Sequence, residues 1–130
     1  MADLLSTIID GSVTEKIGTG AATNATVTVD LSTGNFFKID MADSNADIAT
    51  FTITKPALSS TVISSFVIHI TQGSTARQFT WASLSAIKWV GGAPGRPSLT
   101  ITDNAIDVLS FTTYDNGTTW HGQAVGFNYS

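Results

Sequence analysis

Two histidines and two aspartates are the residues of this chain whose types could support acid–base or metal chemistry. His69 and His121 carry the imidazole group that most often acts as a general base or metal ligand near neutral pH. Asp107 and Asp115 are the nearest acidic candidates, but no motif of fixed spacing joins them to either histidine. The sequence therefore favours two ordinary strand histidines, and it predicts a non-enzymatic protein with no catalytic residue, bound metal or cofactor.

Three tryptophans form a second candidate site, because flat aromatic rings can stack on sugars. They are Trp81, Trp89 and Trp120. Large aromatic side chains more often fill a core or anchor a contact between subunits. We therefore expect packing or interface roles for these residues, with a carbohydrate platform as the alternative.

Three basic residues suggest a contact with another protein. Arg96 lies in the Gly/Pro loop 91–97, which lacks the Lys-Ser/Thr pair of a phosphate-binding loop, so nucleotide binding is not expected. Arg77 and Lys88 lie nearby in the sequence. Our hypothesis is that these side chains meet an acidic neighbour in an assembly.

Composition narrows the function further. The chain has 130 residues, a formal net charge of −4, only 12% charged residues and no Cys, which removes disulfides and thiolate chemistry. The six Lys and Arg residues are scattered, so nucleic-acid binding is not expected. We expect no membrane association, since no apolar run could span a bilayer and the first five residues do not resemble a signal peptide. A surface so poor in charge is typical of a domain packed among other subunits.

The elements that must position these residues are β-strands. Val27, Val29 and Leu31 alternate with polar residues, and the period of two recurs along the chain. The predicted strands cover 26–31, 37–41, 49–54, 66–71, 78–81, 87–89, 99–101, 107–114 and 119–127. Asn116-Gly117 predicts a hairpin turn, and only 82–85 suits a short helical turn. About eight to nine strands at this spacing predict an all-β fold, an antiparallel β-sandwich of jelly-roll type.

The chain length predicts one domain, preceded by an arm. We place the arm at residues 1–20 and the β-sandwich domain at 21–130. The arm carries apolar residues that could contact a neighbouring subunit. They are Leu4, Leu5, Ile8 and Ile9.

An ordered set of short motifs lies between residues 80 and 128. The set comprises Thr80-Trp81, Lys88-Trp89, the loop 91–97, Asp107 with Leu109 and Phe111, Asp115-Asn116-Gly117, Trp120 with Gly122, and Gly126 with Asn128. Together these motifs resemble a β-sandwich module of bacteriophage tail-fibre and other virion structural proteins, especially marine ones. The resemblance spans roughly residues 24–130, and its specificity comes from the order of the motifs.

The resemblance implies a role in attachment or particle architecture. Residues 1–20 show no coiled-coil heptads and no fibre shaft, which favours a small capsid decoration (cement) protein over a fibre tip. The expected partners are the major capsid protein and other copies of the chain, most simply in a homotrimer. We expect synthesis in the host cytoplasm and a final place on the capsid surface of the virion rather than on the tail. The alternative is a tail-fibre module that recognises a host surface glycan.

Overall fold

The structure, a computed structural model, describes residues 16–56 and 63–130. Within them the chain forms eight strands, three single-turn 3₁₀ helices and no α-helix. The strands are β1 Thr19–Thr23, β2 Thr26–Asp30, β3 Phe36–Asp40, β4 Thr50–Thr54, β5 Ser64–Thr71, β6 Ile87–Trp89, β7 Ile106–Thr113 and β8 Trp120–Tyr129. The 3₁₀ helices are Met41–Asp43, Trp81–Ser83 and Ala93–Gly95. The expectation of a predominantly β fold is confirmed.

The strands form two sheets of mixed direction. One sheet has the order β1-β2-β4 and the other has the order β3-β5-β7-β8-β6. Three neighbouring pairs are antiparallel, but β2–β4, β3–β5 and β6–β8 are parallel. The expectation of purely antiparallel sheets was wrong. Antiparallel neighbours can be joined by short turns, whereas parallel neighbours need longer connections, and the period of two in a sequence is the same for both.

Both sheets contribute to one hydrophobic core. Val27 and Val29 from β2 are fully buried in the same cluster as Phe37 and Ile39 from β3. Gly20 of β1 lies against β3, because a Cβ added there would be 3.1 Å from Ile39 and 3.2 Å from Phe37. The alternating apolar residues thus face inward, as their spacing predicts.

Two predicted strands, 78–81 and 99–101, are irregular segments joined by a side chain. The Gln78 amide donates to the carbonyl oxygen of Leu99 at 2.9 Å and accepts the Leu99 N–H at 2.7 Å. Gln72, which is buried, joins the same region by donating to the carbonyl oxygens of Arg77 and Thr100. These amides take the place of a backbone ladder, so Phe79, Trp81 and Leu99 are buried without belonging to strands, whereas Ile101 is exposed.

The predicted arm overlaps the first strand. β1 begins at Thr19, and Ile17 forms a parallel bridge with Phe36, the first residue of β3. Residues 16–20 therefore lie against the edge of the five-stranded sheet. Four arm residues fall outside the described residues: Leu4, Leu5, Ile8 and Ile9.

The hairpin turn between β7 and β8 is confirmed. Asn116 and Gly117 have φ values of 58° and 80°, and the Thr118 N–H donates to the Asp115 carbonyl oxygen at 3.3 Å. Two consecutive positive φ values are typical of the tight turns that match the twist of antiparallel strands. The turn closes the two longest neighbouring strands of the larger sheet.

Candidate functional site

The four residues capable of acid–base chemistry are not brought together. His69 lies half-buried in β5 with its ring 5.9 Å from Phe36, and exposed His121 in β8 lies 5.6 Å from the Tyr114 ring. Asp107 is near the start of β7, and Asp115 follows the end of that strand. Among residues 16–56 and 63–130, no three His, Cys, Asp or Glu side chains are grouped so as to hold a metal ion.

Asp107 instead connects two segments of the fold by hydrogen bonds. Asp107 is buried, with only 2% of its surface exposed. One oxygen accepts the Asn128 N–H at 2.9 Å and the Thr100 hydroxyl at 2.8 Å, and the other accepts the Thr100 N–H at 2.6 Å. Three hydrogen bonds satisfy this buried carboxyl group, which would otherwise lose its water partners without replacement. Asp107 therefore fixes the segment around Thr100 against the end of β8.

Asp115 has a comparable role in the hairpin turn. Its Oδ1 accepts the Thr119 N–H at 2.9 Å and the Thr113 hydroxyl at 2.9 Å. The Thr119 N–H is the largest influence and holds the pKa of Asp115 below its ordinary value, against a smaller opposing effect of desolvation. The buried Thr113 hydroxyl also accepts the Gly117 N–H at 2.8 Å. The Asp115 carboxylate thus stabilises the turn.

All three tryptophans belong to the core. Trp81, Trp89 and Trp120 expose 6%, 9% and 3% of their surfaces. The Trp81 ring stacks on Phe79 with centroids 4.5 Å apart and meets Trp89 edge-on at 4.7 Å. Sugar stacking requires an accessible ring face. The expected packing role agrees with this burial, and these residues do not form an exposed carbohydrate platform in the chain.

Two of the three predicted basic residues lie together. Lys88 and Arg96 are exposed and line one surface pocket of about 290 Å³, which we call the basic pocket. Its other lining residues are Ala82, Ser85, Ile87, Trp89, Gly92 and Ala93. Arg77 is outside this lining and half-buried, and its Nε is buried with no hydrogen-bond partner among residues 16–56 and 63–130.

A second concavity adjoins the basic pocket, and the two share Ser85 and Ile87. It has a volume of about 430 Å³ and lies between β4 and the segment 83–87. We call it the edge groove. Its lining is Ala49, Thr50, Phe51, Ile53, Lys55, Ser83, Leu84, Ser85, Ala86, Ile87, Gly117 and Trp120.

The edge groove follows a strand edge that pairs with no other strand of the described residues. β4 is the last strand of its sheet and β6 is the last strand of the other, so both sheets end at this side of the molecule. The Thr50 N–H donates to the Ala25 carbonyl oxygen, and the Thr54 carbonyl oxygen accepts the Leu31 N–H. Because successive peptide groups of a strand point to opposite sides, those of Phe51 and Ile53 point away from β2 and towards the groove.

The side chains around the groove give it a positive character. Lys55 lies in its wall, and Lys88 and Arg96 lie in the neighbouring basic pocket. Lys55 Nζ donates to Asn116 Oδ1 at 2.9 Å, and none of the three cations forms an ion pair within the described residues. The chain as a whole is acidic, so this edge is a local exception.

Sequence reasoning missed Lys55 and the role of Phe51 and Ile53. The alternation of β4 predicts that these apolar side chains face inward, but it does not reveal that their strand ends a sheet. Lys55 lies against the turn that contains Gly117, because a Cβ at Gly117 would meet Lys55 Cε. The groove therefore depends on contacts between residues far apart in the sequence.

Neither the membrane-helix criterion nor the comparisons with known proteins assign a function to the chain. Within the described parts of the chain, no helix has the length and apolar character needed to span a membrane. Searches against protein-family models, curated proteins and solved structures find no significant match to this chain.

Proposed function

We propose that this chain is a structural protein of bacteriophage particles, a capsid decoration protein that docks on the assembled shell and stabilises it. One observation carries the proposal. The residues that could support catalysis or ligand binding, such as Trp81, Asp107 and Asp115, serve packing and turn formation. The surface of the described residues, in contrast, has an unpaired sheet edge with a groove and several cations. Such an edge suits docking of another protein by backbone pairing and side-chain contacts.

The proposal includes a two-layered sandwich with an N-terminal arm. The shared core of the two sheets supports the layered arrangement, as does the contact of Gly20 with Ile39 and Phe37. The three parallel pairs depart from the antiparallel order of a jelly roll, so that order is not part of the proposal. The arm would extend from the side of the domain at which Ile17 meets β3.

Stabilisation of the shell would follow from linked binding. A protein that binds only the assembled shell lowers the free energy of that state relative to separated subunits, by an amount that grows with occupancy. Each copy would bridge neighbouring shell subunits, and a homotrimer would place three equivalent docking surfaces around one axis. A surface with few charges limits the desolvation cost of these contacts.

The test is decoration of purified shells. Undecorated capsids are mixed with the full-length chain and with a variant lacking residues 1–12, and the bound copies per particle are counted by quantitative mass spectrometry. We expect hundreds of copies of the full-length chain and an increased capsid melting temperature. The truncated variant should bind more weakly although its circular dichroism is unchanged.

Two outcomes contradict this proposal. A copy number of about a dozen places the chain on the tail, since tail attachments follow the low symmetry of that structure. Equal affinity of the truncated and full-length chains excludes a role of the arm.

The alternative, glycan recognition at a tail fibre, has one specific observation in its favour. Tyr114, Phe127 and Tyr129 are exposed by 56%, 43% and 51%, so these rings rather than the tryptophans could stack on a sugar. A glycan array with the full-length chain tests this role. Hits that disappear in Phe127→Ala would favour adhesion, and an array without hits would count against it.

A further inference from the structure

The edge groove has the shape and backbone polarity that an added strand requires. The peptide groups of Phe51 and Ile53 face it, so an extended segment could hydrogen-bond to β4 and become the fourth strand of the smaller sheet. The half-buried side chains of both residues and the neighbouring Leu84 and Ile87 supply apolar contacts. Open strand edges of this kind readily pair with another chain.

The chemistry of the groove specifies an apolar and acidic occupant. Lys55, Lys88 and Arg96 are three cations along one edge, and none has a carboxylate partner among the described residues. Residues 1–15 of the chain have that complementary composition, with three acidic residues and no Lys or Arg. The acidic residues are Asp3, Asp10 and Glu15, and the apolar ones include Leu4, Leu5, Ile8, Ile9 and Val13.

This segment joins the domain at the side opposite the edge groove. Lys16 and Ile17 lie beside β3, at one edge of the five-stranded sheet, whereas the groove adjoins β6 at the opposite edge. Four strand spacings separate these edges by about 19 Å. Fifteen extended residues reach up to about 50 Å, so the segment is long enough to contact a second molecule.

We propose that the edge groove binds part of the segment 1–15 of a second copy of this chain. The contact joins two different surfaces, the arm of one copy and the groove of the next. When repeating the rotation that relates neighbouring copies completes a full turn, the copies form a ring, such as a trimer, in which every groove is filled. The occupant adds a strand beside Phe51 and Ile53, and its acidic residues meet the cations of the edge. This inference assumes the arm of the proposed function but does not require that the partner be a capsid.

Engineered disulfides test the contact directly, because the chain contains no Cys. Ser85→Cys places a thiol on the groove rim, and Ser6→Cys or Thr7→Cys places one in the arm. A groove variant and an arm variant, each with a single Cys, are mixed as full-length proteins and oxidised. We expect a heterodimer on a non-reducing gel. Ser98→Cys, exposed and outside both linings, is the control for random collision.

The disulfide experiment has outcomes that overturn the inference. Equal crosslinking to positions 85 and 98 shows that the groove is not selected. A chain carrying both Ser6→Cys and Ser85→Cys that closes only on itself shows that the arm binds its own domain. If oligomers fail to form and no groove crosslink appears, the groove receives another protein or nothing, and the inference fails.

A pair of groove variants gives an independent measurement. Ala86→Trp fills the groove at an exposed position, whereas Ala76→Trp adds the same bulk at an exposed position outside both concavities. In analytical ultracentrifugation of the full-length protein we expect Ala86→Trp to weaken self-association by about tenfold or more. Ala76→Trp should remain within about twofold of the unmodified chain. Equal effects of the two variants, or none, would contradict the inference.

Salt dependence distinguishes the charged contacts. Raising the ionic strength from about 0.05 M to about 0.5 M should weaken the association, because exposed charges are screened. The double variant Lys88→Gln/Arg96→Gln should lose most of that dependence. Failure of these experiments leaves decoration of shells untouched, since shell binding by a monomer would still be counted on particles.

Discussion

At the scale of single residues, two neighbouring tryptophans differ in how their indole nitrogens are satisfied. Trp81 Nε1 donates to the Pro97 carbonyl oxygen at 2.7 Å, whereas Trp89 Nε1 is buried and has no hydrogen-bond partner in the part of the chain that the structure describes. A buried donor without a partner carries the cost of its desolvation. The two indoles are similarly buried, so their hydrogen bonding can be compared with little interference from burial.

We therefore expect Trp81→Phe to destabilise the protein more than Trp89→Phe. The difference in the free energy of unfolding should be about 1–2 kcal/mol, because only the first change removes a hydrogen bond and the second removes an unsatisfied donor. Urea denaturation followed by circular dichroism measures both variants. Equal losses would mean that the bond to Pro97 adds nothing to stability.

Asp107 illustrates how a residue suited to chemistry serves the fold. Asp107→Asn keeps the size of the side chain but turns an NH₂ group towards the N–H groups of Thr100 or Asn128. We expect a loss of about 3 kcal/mol in unfolding free energy, since buried N–H donors lose their acceptor. The exposed Asp103→Asn is the control. A similar effect of both substitutions would refute the structural role of Asp107.

At the scale of elements, the hairpin turn makes stability depend on pH. The folded-state pKa of Asp115 is lower than its ordinary value of 3.8, chiefly because of the Thr119 N–H. A group with a depressed pKa stabilises the fold above its unfolded-state pKa, and this contribution disappears as the pH falls through the folded-state value. The ionised Asp115 should thus support the turn at neutral pH but not in strong acid.

Asp115→Asn tests this dependence. Relative to the unmodified chain, the variant should have a lower melting temperature at neutral pH, and the difference should shrink as the pH falls below 3.8. Asp43→Asn, at an exposed position in the 3₁₀ helix Met41–Asp43, serves as the control. A difference in melting temperature that is constant with pH would exclude the ionisation of Asp115 as its cause.

The elements also show what a sequence can predict. Strands β2, β3, β4, β6 and β7 match the predicted segments within one or two residues, because alternation and turn residues are local signals. The direction of pairing depends on long-range packing, so the parallel pair β2–β4 was not foreseen. The amide of Gln78 substitutes for a ladder between two segments, and no local pattern distinguishes it from other surface glutamines.

The candidate site was predictable only in part. The packing role expected for the tryptophans followed from the size of their side chains, and Lys88 and Arg96 do lie together. The edge groove required knowledge of which strands end the sheets. Phe51 and Lys55 come from one part of the chain and Ile87 and Gly117 from others, so their proximity could not be predicted from spacing.

At the scale of the whole molecule, the shared core should make the two sheets unfold together. Val29 in the smaller sheet is completely buried, although all three tryptophans lie in or beside the larger one. Val29→Ala should lower unfolding free energy by about 2 kcal/mol, and tryptophan fluorescence should report the same midpoint as far-ultraviolet circular dichroism. Thr28→Ala, at the exposed neighbouring position, is the matched control. Separate transitions would show that each sheet is its own cooperative unit.

The edge-on contact of Trp81 with Trp89 gives the protein an optical marker. Two indoles with centroids 4.7 Å apart and ring planes inclined by 68° are close enough for their electronic transitions to couple. Coupled chromophores held at a fixed inclination produce paired bands of opposite sign in circular dichroism. Because Trp89 lies in β6 beside the edge groove, the amplitude of these bands would allow occupation of the groove to be followed without a label.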